Sequence, residues 1–312
     1  MAILVTGAGG LIGRSAVAAL LRQGVEHVRA VVRDPAQVGD LRRLGAKVAL
    51  LDATDPDGLR AAMEGVFTAC SLTGGLWTRP GEDPYAAVVD PARVLLAAAS
   101  AAGVRRVVVC SPAAAGSPAA EANPHLAAKA EVERMVAASG LEHAILRCTH
   151  VLGQGGRLVE LLTGRDMRTG GRPGASGDAA VPVPGDGHQL VAPVWAGDVA
   201  AAIATADDAV ELAATWAVAG PDTVTFDALV DAVHGGPVAK VHLGDGGGAT
   251  AAGDREPAGS PAGLTPAQLG VLAADSLPDP GLPGPPGLTP TSLAEALARS
   301  AGPVRPGVAG PA

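Results

Sequence analysis

Aromatic side chains are scarce: they make up 2 % of the 312 residues, and Phe67, Phe226, Tyr85, Trp77, Trp195 and Trp216 are all there are. The core must therefore be built from Val, Leu, Ile and Ala. Lysine is nearly absent, with only Lys47, Lys129 and Lys240. The formal net charge is −8 and no basic stripe is present, which excludes nucleic acid as an expected partner. Long apolar runs are missing too. The longest uncharged one, Val94 to Val104, lies between Arg93 and Arg105 and is too short to span a bilayer. The N-terminus has no basic segment ahead of an apolar run, so no secretory signal is expected and the reading is a cytoplasmic protein with no membrane partner. The three cysteines, Cys70, Cys110 and Cys148, fit no metal-ligand spacing, and their odd number argues against a disulfide framework. Each falls near the end of an apolar run and reads as a small buried thiol.

What is present is a βα period. Strands are expected at Ala2–Thr6, His27–Arg33, Lys47–Leu51, Val66–Leu72, Arg105–Cys110 and His143–Cys148. Helices are expected between them at Leu11–Gln23, Ala36–Leu44, Pro56–Met63, Tyr85–Ala102 and Pro124–Ser139. Continuous apolar strands joined by helical crossovers imply a doubly wound parallel sheet, the Rossmann type of α/β fold. Residues 1–150 form the expected dinucleotide-binding core.

Residues 151–312 read as small elements on the substrate side, interleaved with the core rather than an independent domain. Helices are expected at Arg157–Leu162, Asp198–Asp207, Phe226–Val233, Leu264–Ala274 and Leu293–Ser300, with Thr225 capping the third. Strands are expected at Ala180–Pro184, Gln189–Val194, Glu211–Ala219 and Val238–Leu243. Met167–Gly177 and Gly244–Gly263 read as loops, and the last ten residues as frayed.

The run Thr6-Gly7-Ala8-Gly9-Gly10-Leu11-Ile12-Gly13 follows a strand and opens a helix, which is the context a dinucleotide fingerprint needs. Gly7 permits the tight turn, Gly10 lets backbone approach a pyrophosphate, and Gly13 lets the helix pack closely. The phosphates then meet free N–H groups at the helix N-terminus. The second strand ends in Arg33, not an acid. A guanidinium there suits a 2′-phosphate, and Arg14 adds a second positive group, so NADP (NADPH) is expected over NAD. Asp34 reads as a cap with Pro35 at the first helical position. Asp52 closes the third strand and either accepts from an adenine amino group or caps its turn, with Ala53 beside it.

Thr6-Gly7-x-x-Gly10-x-x-Gly13, Val31-Val32-Arg33-Asp34-Pro35, Leu51-Asp52-Ala53 and Pro193-Val194-Trp195-Ala196-Gly197-Asp198-Val199 together resemble the atypical branch of the short-chain dehydrogenase/reductase superfamily. Within it the chain is similar to NmrA-like proteins and to relatives of the NADPH-binding accessory subunit of respiratory complex I. Classical members of the superfamily use a Tyr four residues before a Lys on one helix, assisted by a Ser at the end of the fifth strand. The resemblance places Lys129 over the nicotinamide ribose hydroxyls and Ser111 at the Ser position. His125 stands where the Tyr belongs, so the tyrosinate mechanism does not carry over. The spacing puts His125 and Lys129 on one helix face. His125 then donates a proton, hydrogen-bonds substrate, or sits on the helix surface without a role. Of the strand-end residues, Thr73 and Gly74 are expected beside the nicotinamide ribose and Thr149 at the carboxamide. Trp77, His150, His188 and Trp195 are expected to line a pocket for a hydrophobic small molecule. No metal site is expected, and a homo-oligomer is compatible with all of this. Reduction of a carbonyl or enone in a biosynthetic pathway is the leading expectation. A non-catalytic NADP sensor or accessory protein and a cofactor-assisted isomerase or epimerase are the alternatives.

Overall fold

The computed structural model describes residues 2–77, 83–164, 180–244 and 264–300. In the first half β1 (Ala2–Thr6), α1 (Leu11–Arg22), β2 (His27–Val32), α2 (Val38–Leu44), β3 (Lys47–Leu50), α3 (Pro56–Ala62), β4 (Val66–Ser71), α4 (Pro84–Ala102), β5 (Arg106–Pro112), α5 (Pro124–Ala137) and β6 (Glu142–Cys148) alternate as the periodicity implies. The second half supplies β7 (Val151–Leu152), α6 (Arg157–Leu162), β8 (Val181–Val183), β9 (Leu190–Val191), β10 (Val194–Trp195), α7 (Ala196–Asp208), β11 (Ala213–Val218), β12 (Val224–Thr225), α8 (Phe226–His234), β13 (Lys240–His242), α9 (Pro266–Leu272) and α10 (Leu293–Ser300).

Seven strands form one sheet in the order β11-β6-β5-β4-β1-β2-β3, and every pairing in it is parallel. The order reverses between β1 and β4, and strand C-termini on either side of that point leave a crevice. Alternate side chains of the strands feed two cores. Ile3, Val5, Val28 and Leu146 pack with α1 and α7, whereas Leu4, Val31, Val107 and Ile145 pack with α3, α4 and α5. A third cluster around Phe226 joins α6, α8 and β8. By length and composition α4 is apolar enough to cross a membrane. Here its Val88, Val89, Ala92, Leu95 and Ala99 are buried in the second core.

Local signals account for the boundaries. Asp34, Asp55, Asp83 and Asn123 each accept backbone N–H bonds at a helix start that carries Pro in its first turn. Thr225 caps α8 as expected, accepting from the Ala228 N–H. The run Gln189–Val194 is not one strand. Pro193 has no N–H for a ladder, and the run divides into β9, antiparallel to β12, and β10, parallel to β7. The loops expected at Met167–Gly177 and over most of Gly244–Gly263, and the last ten residues, lie outside the described residues.

Candidate cofactor and active site

A cleft of about 970 Å³ runs along the C-terminal ends of the parallel strands. At one end lies the glycine-rich turn. Gly7 has φ +65°, and a Cβ there would meet the Leu72 carbonyl oxygen at 2.5 Å. A Cβ on Gly13 would sit 2.2 Å from the Gly7 oxygen. Both positions therefore require glycine. Gly10 caps α1 without a side-chain bond, so the first N–H groups of the helix are open to the cleft. A Cβ on Gly10 would meet only the Gly7 oxygen, at 3.4 Å. This uncapped helix end with room above it fits a dinucleotide pyrophosphate. Leu11, Ile12, Gly9 and Arg14 complete that wall, and the Arg14 guanidinium donates to the Gly9 carbonyl.

Arg33 and Asp52 line the same end, with Arg33 Nη1 3.9 Å from Asp52 Oδ2 and both half-exposed. Asp52 Oδ1 accepts from the Thr54 N–H at 2.9 Å and its hydroxyl at 2.7 Å, so the turn-capping reading is realised. Ala53 lies beside it. Asp34 caps a short 3-10 turn by accepting from the Ala36 N–H at 2.9 Å.

The middle of the cleft holds Thr73, Gly74, Cys110, Ser111, His125, Lys129, Cys148 and Thr149. α5 begins at Pro124, capped by Asn123, which also donates from Nδ2 to the Ala267 carbonyl at 2.9 Å. This places His125 in the first turn and Lys129 one turn on. His125 is 2 % exposed, which removes the surface-residue reading. Burial first, and then the Lys129 charge, lower its pKa to about 3. Desolvation outweighs the Lys129 charge. At neutral pH His125 is a neutral imidazole and not an acid.

Lys129 is 7 % exposed and donates to the Cys110 carbonyl at 3.2 Å and the Thr73 carbonyl at 3.4 Å. Burial lowers its pKa, opposed by Cys110, Cys148 and Glu133. Thr149 Oγ1 donates to the Ala192 carbonyl at 2.5 Å. The cysteines are free thiols, and burial pushes the Cys70 thiol well up. Among the described residues no cluster is arranged to hold a metal.

Trp77 and His150 line the remaining end with Leu76, Arg157, Leu158 and Leu272. The Arg157 guanidinium lies over the Trp77 ring, 5.5 Å from its centroid. His188 and Trp195 do not line the cleft, contrary to expectation. His188 is exposed in the turn after β8, where its N–H donates to Asp186 Oδ1 at 2.9 Å. Trp195 is the cap residue of α7 and is covered by the Arg299 guanidinium at 4.2 Å.

Several wall segments escaped the sequence reading, among them Asp90 and Pro91 of α4 and Pro112 to Ala114 at the end of β5. Gln37 crosses the phosphate turn so closely that a Cβ on Gly9 would meet its Oε1 at 1.8 Å. Gly153 and Gly156 close on Leu11, where a Cβ would meet the Leu11 side chain at 2.6 and 2.8 Å. The cluster Gly153-Gln154-Gly155-Gly156 after the sixth strand was a readable signal for that contact. Val271, Asp275 and Ser276 come from α9 and the segment beyond it, which no local pattern ties to the crevice.

A family model described as NAD(P)H-binding matches residues 7–176, more than half of the chain. The chain belongs to the NAD(P)H-binding family. Membership in this NAD(P)H-binding family, together with the sheet order, bears out the resemblance to atypical short-chain dehydrogenases/reductases. No curated protein matches the chain in sequence. Among solved structures it is similar to UDP-glucuronic acid 4-epimerase from Bacillus cereus, in complex with UDP-glucuronic acid and NAD. The TM-score is 0.69 at 16 % identity, covering 96 % of this chain and 98 % of that one. It is also similar to a nucleoside-diphosphate-sugar epimerase from Staphylococcus aureus, with a TM-score of 0.68 at 15 % identity over 95 % and 99 % of the two chains. DesIV, a dTDP-glucose 4,6-dehydratase from Streptomyces venezuelae with NAD bound, gives a TM-score of 0.62 at 22 % identity over 78 % and 84 %. At these identities the likeness is one of fold.

Proposed function

We propose that the protein is an NADPH-dependent reductase of a hydrophobic small molecule carrying a carbonyl or enone. The observation that carries this reading is the pairing of His125 and Lys129 in the cleft that the uncapped α1 end also faces. Gly7, Gly9, Gly10, Leu11, Ile12, Gly13 and Arg14 would hold the pyrophosphate, Thr73, Gly74, Thr149 and Lys129 the nicotinamide half. Asp52 and Ala53 would flank the adenosine. The bound reduced cofactor supplies a hydride. Lys129 has three N–H groups, and two of them go to backbone carbonyls, leaving one for a ribose hydroxyl. Neutral His125 and Ser111 would orient the acceptor oxygen by hydrogen bonding, and the alkoxide left by hydride addition would take its proton from water through the Ser111 hydroxyl, without His125 serving as the acid. Leu76, Trp77, Leu158 and Leu272 exclude water from the acceptor's apolar body. A cytoplasmic, biosynthetic setting is the finer assignment that goes with this reading, while the NmrA-like resemblance goes with a non-catalytic NADP-binding alternative.

Cofactor preference is the first test. Arg33 is half-exposed, and its contact with Asp52 at 3.9 Å contributes little to stability, so a 2′-phosphate competes for the guanidinium easily. Calorimetric titration should show NADPH binding at least about tenfold more tightly than NADH, with Arg33→Ala removing most of the difference. Equal affinities in the unmodified protein would sink the NADP assignment.

The role of His125 is read from rates. Because its pKa is about 3, kcat/KM should show no His125-dependent break from about pH 5 to 9. His125→Ala should lower kcat/KM about tenfold, and His125→Gln, which keeps a donor, should retain more. A break near neutral pH that vanishes in His125→Gln would restore the proton-donor reading.

The epimerase and dehydratase structures of like fold support a second reading, cofactor-assisted isomerisation or epimerisation. Net consumption of NADPH over many turnovers with a carbonyl acceptor separates reduction from it.

A further inference from the structure

Among the described residues, six buried side-chain polar atoms have no hydrogen-bond partner in the protein: Thr68 Oγ1, Arg106 Nε, Ser111 Oγ, His125 Nδ1, His150 Nε2 and Gln189 Oε1. Three of these residues, Ser111, His125 and His150, line one cleft, and the other three do not. An unpaired buried polar atom costs about 1–3 kcal/mol, so a group of them around one cavity calls for a ligand that pairs them. Ser111 and His125 stand together at the reacting end already described. His150 comes from a different element, the turn between β6 and β7. Its ring is held in place there. The backbone N–H donates to Ser276 Oγ at 3.1 Å, and the ring meets Phe226 edge-on at 6.2 Å between centroids.

We propose that His150 binds a second oxygen of the acceptor, so that the substrate is a neutral, largely apolar carbonyl compound with at least one further hydroxyl or carbonyl oxygen. The carbonyl rests on the reductase reading above; the second oxygen rests on His150 alone. Neutrality follows from the surroundings. Burial lowers the His150 pKa to about 4 and burial with Lys129 lowers that of His125 to about 3, so neither imidazole offers an anion a counter-charge at neutral pH. The Lys129 ammonium is turned to the Cys110 and Thr73 carbonyls, the Arg157 guanidinium lies over Trp77 and pairs with the Glu160 carboxylate at 3.8 Å, and the Asp275 carboxylate, which also lines the cleft, repels an anion. A neutral imidazole carries one N–H and one lone pair, and it matches a hydroxyl or a carbonyl equally well. Leu76, Leu158, Val271 and Leu272 line the rest of this end and suit a hydrocarbon body.

The test is a matched series of bicyclic probes: α-tetralone with one oxygen, and 4-hydroxy-1-tetralone and 6-hydroxy-1-tetralone with two. Their affinities are measured by calorimetry for the full chain with and without NADP⁺, which cannot donate hydride, so binding is read and not turnover. In the unmodified protein at least one two-oxygen probe should bind about tenfold more tightly than α-tetralone, the worth of one well-made buried hydrogen bond. His150→Leu should bring the ratio of two-oxygen to one-oxygen affinity to about one, whatever it does to α-tetralone itself, and His150→Gln should restore part of the ratio. The proposal is overturned if no two-oxygen probe exceeds α-tetralone, or if the advantage survives in His150→Leu. Failure of NADP⁺ to bind would count against the reductase reading instead, since the probe series without cofactor still decides the role of His150.

Discussion

Replacing Arg106 by methionine should cost about 3–5 kcal/mol of folding stability, chiefly because three backbone carbonyls lose their donor, while Glu142 keeps Arg105 at 2.6 Å. Arg106 opens β5 and is fully buried. Its guanidinium donates to the carbonyls of Ala206 at 2.8 Å, Asp207 at 2.5 Å and Ala209 at 2.7 Å, and to Glu142 at 2.6 Å. Those carbonyls lie at the C-terminal end of α7, where a helix runs out of internal donors and carries partial negative charge. One side chain thus satisfies that end and ties it to the sheet. Methionine keeps most of the packing volume but leaves the carbonyls and Glu142 without these bonds. Urea unfolding should show a lower midpoint at unchanged m. Lysine at the position should recover only part of the loss, because it has fewer donors and no planar fork. A cost below about 1 kcal/mol for Arg106→Met would contradict the account.

Acidification should destabilise the protein well before its carboxylates titrate fully. His125 and His150 have folded-state pKa values of about 3 and about 4, against about 6.5 in an unfolded chain. Below that value the unfolded state binds protons that the folded state refuses. Stability is therefore complete above about pH 6.5 and falls as pH drops toward 4 and 3. By about pH 5 each histidine should have removed about 2 kcal/mol, or about 4 kcal/mol together, relative to neutral pH. Urea unfolding between pH 7.5 and pH 5, roughly the span in which free imidazole titrates, measures the slope. The His125→Gln and His150→Gln proteins should each lose about half of it. An unchanged slope in the double variant would show that neither imidazole is held neutral by the fold.

Much of the architecture was legible because each signal was local. The βα period, the glycine turn and Pro with its capping Asp or Asn marked nearly every helix start in residues 1–150. The placement of the glycine turn's end of the cleft was legible for the same reason: Gly7 to Arg14, Arg33 and Asp52 line it from short segments attached to three neighbouring strands. Burial and long-range placement were not legible. Arg105-Arg106 reads as an ordinary charged strand start, and nothing near it says that Arg106 reaches the end of α7, a hundred residues later in the chain. His188 and Trp195 were assigned to the pocket by their position in the late elements. A one-residue turn chemistry at Asp186 and the covering Arg299 send them elsewhere. Conversely Ser276, which anchors His150, sits in a segment with no pattern of its own.

The sheet is completed by a strand that arrives late. β11 pairs along the whole of β6, from Ala213 against His143 to Val218 against Cys148, yet α6, α7 and the small strands lie between them in the chain. While the chain is being synthesised, β6 is an open edge and the Arg106 guanidinium lacks its α7 partners until residues beyond Ala209 have emerged. Edges of this kind invite pairing with other chains. A chain that stops before Ala213 therefore leaves β6 as a bare pairing edge, and the second half of the sequence is what closes it.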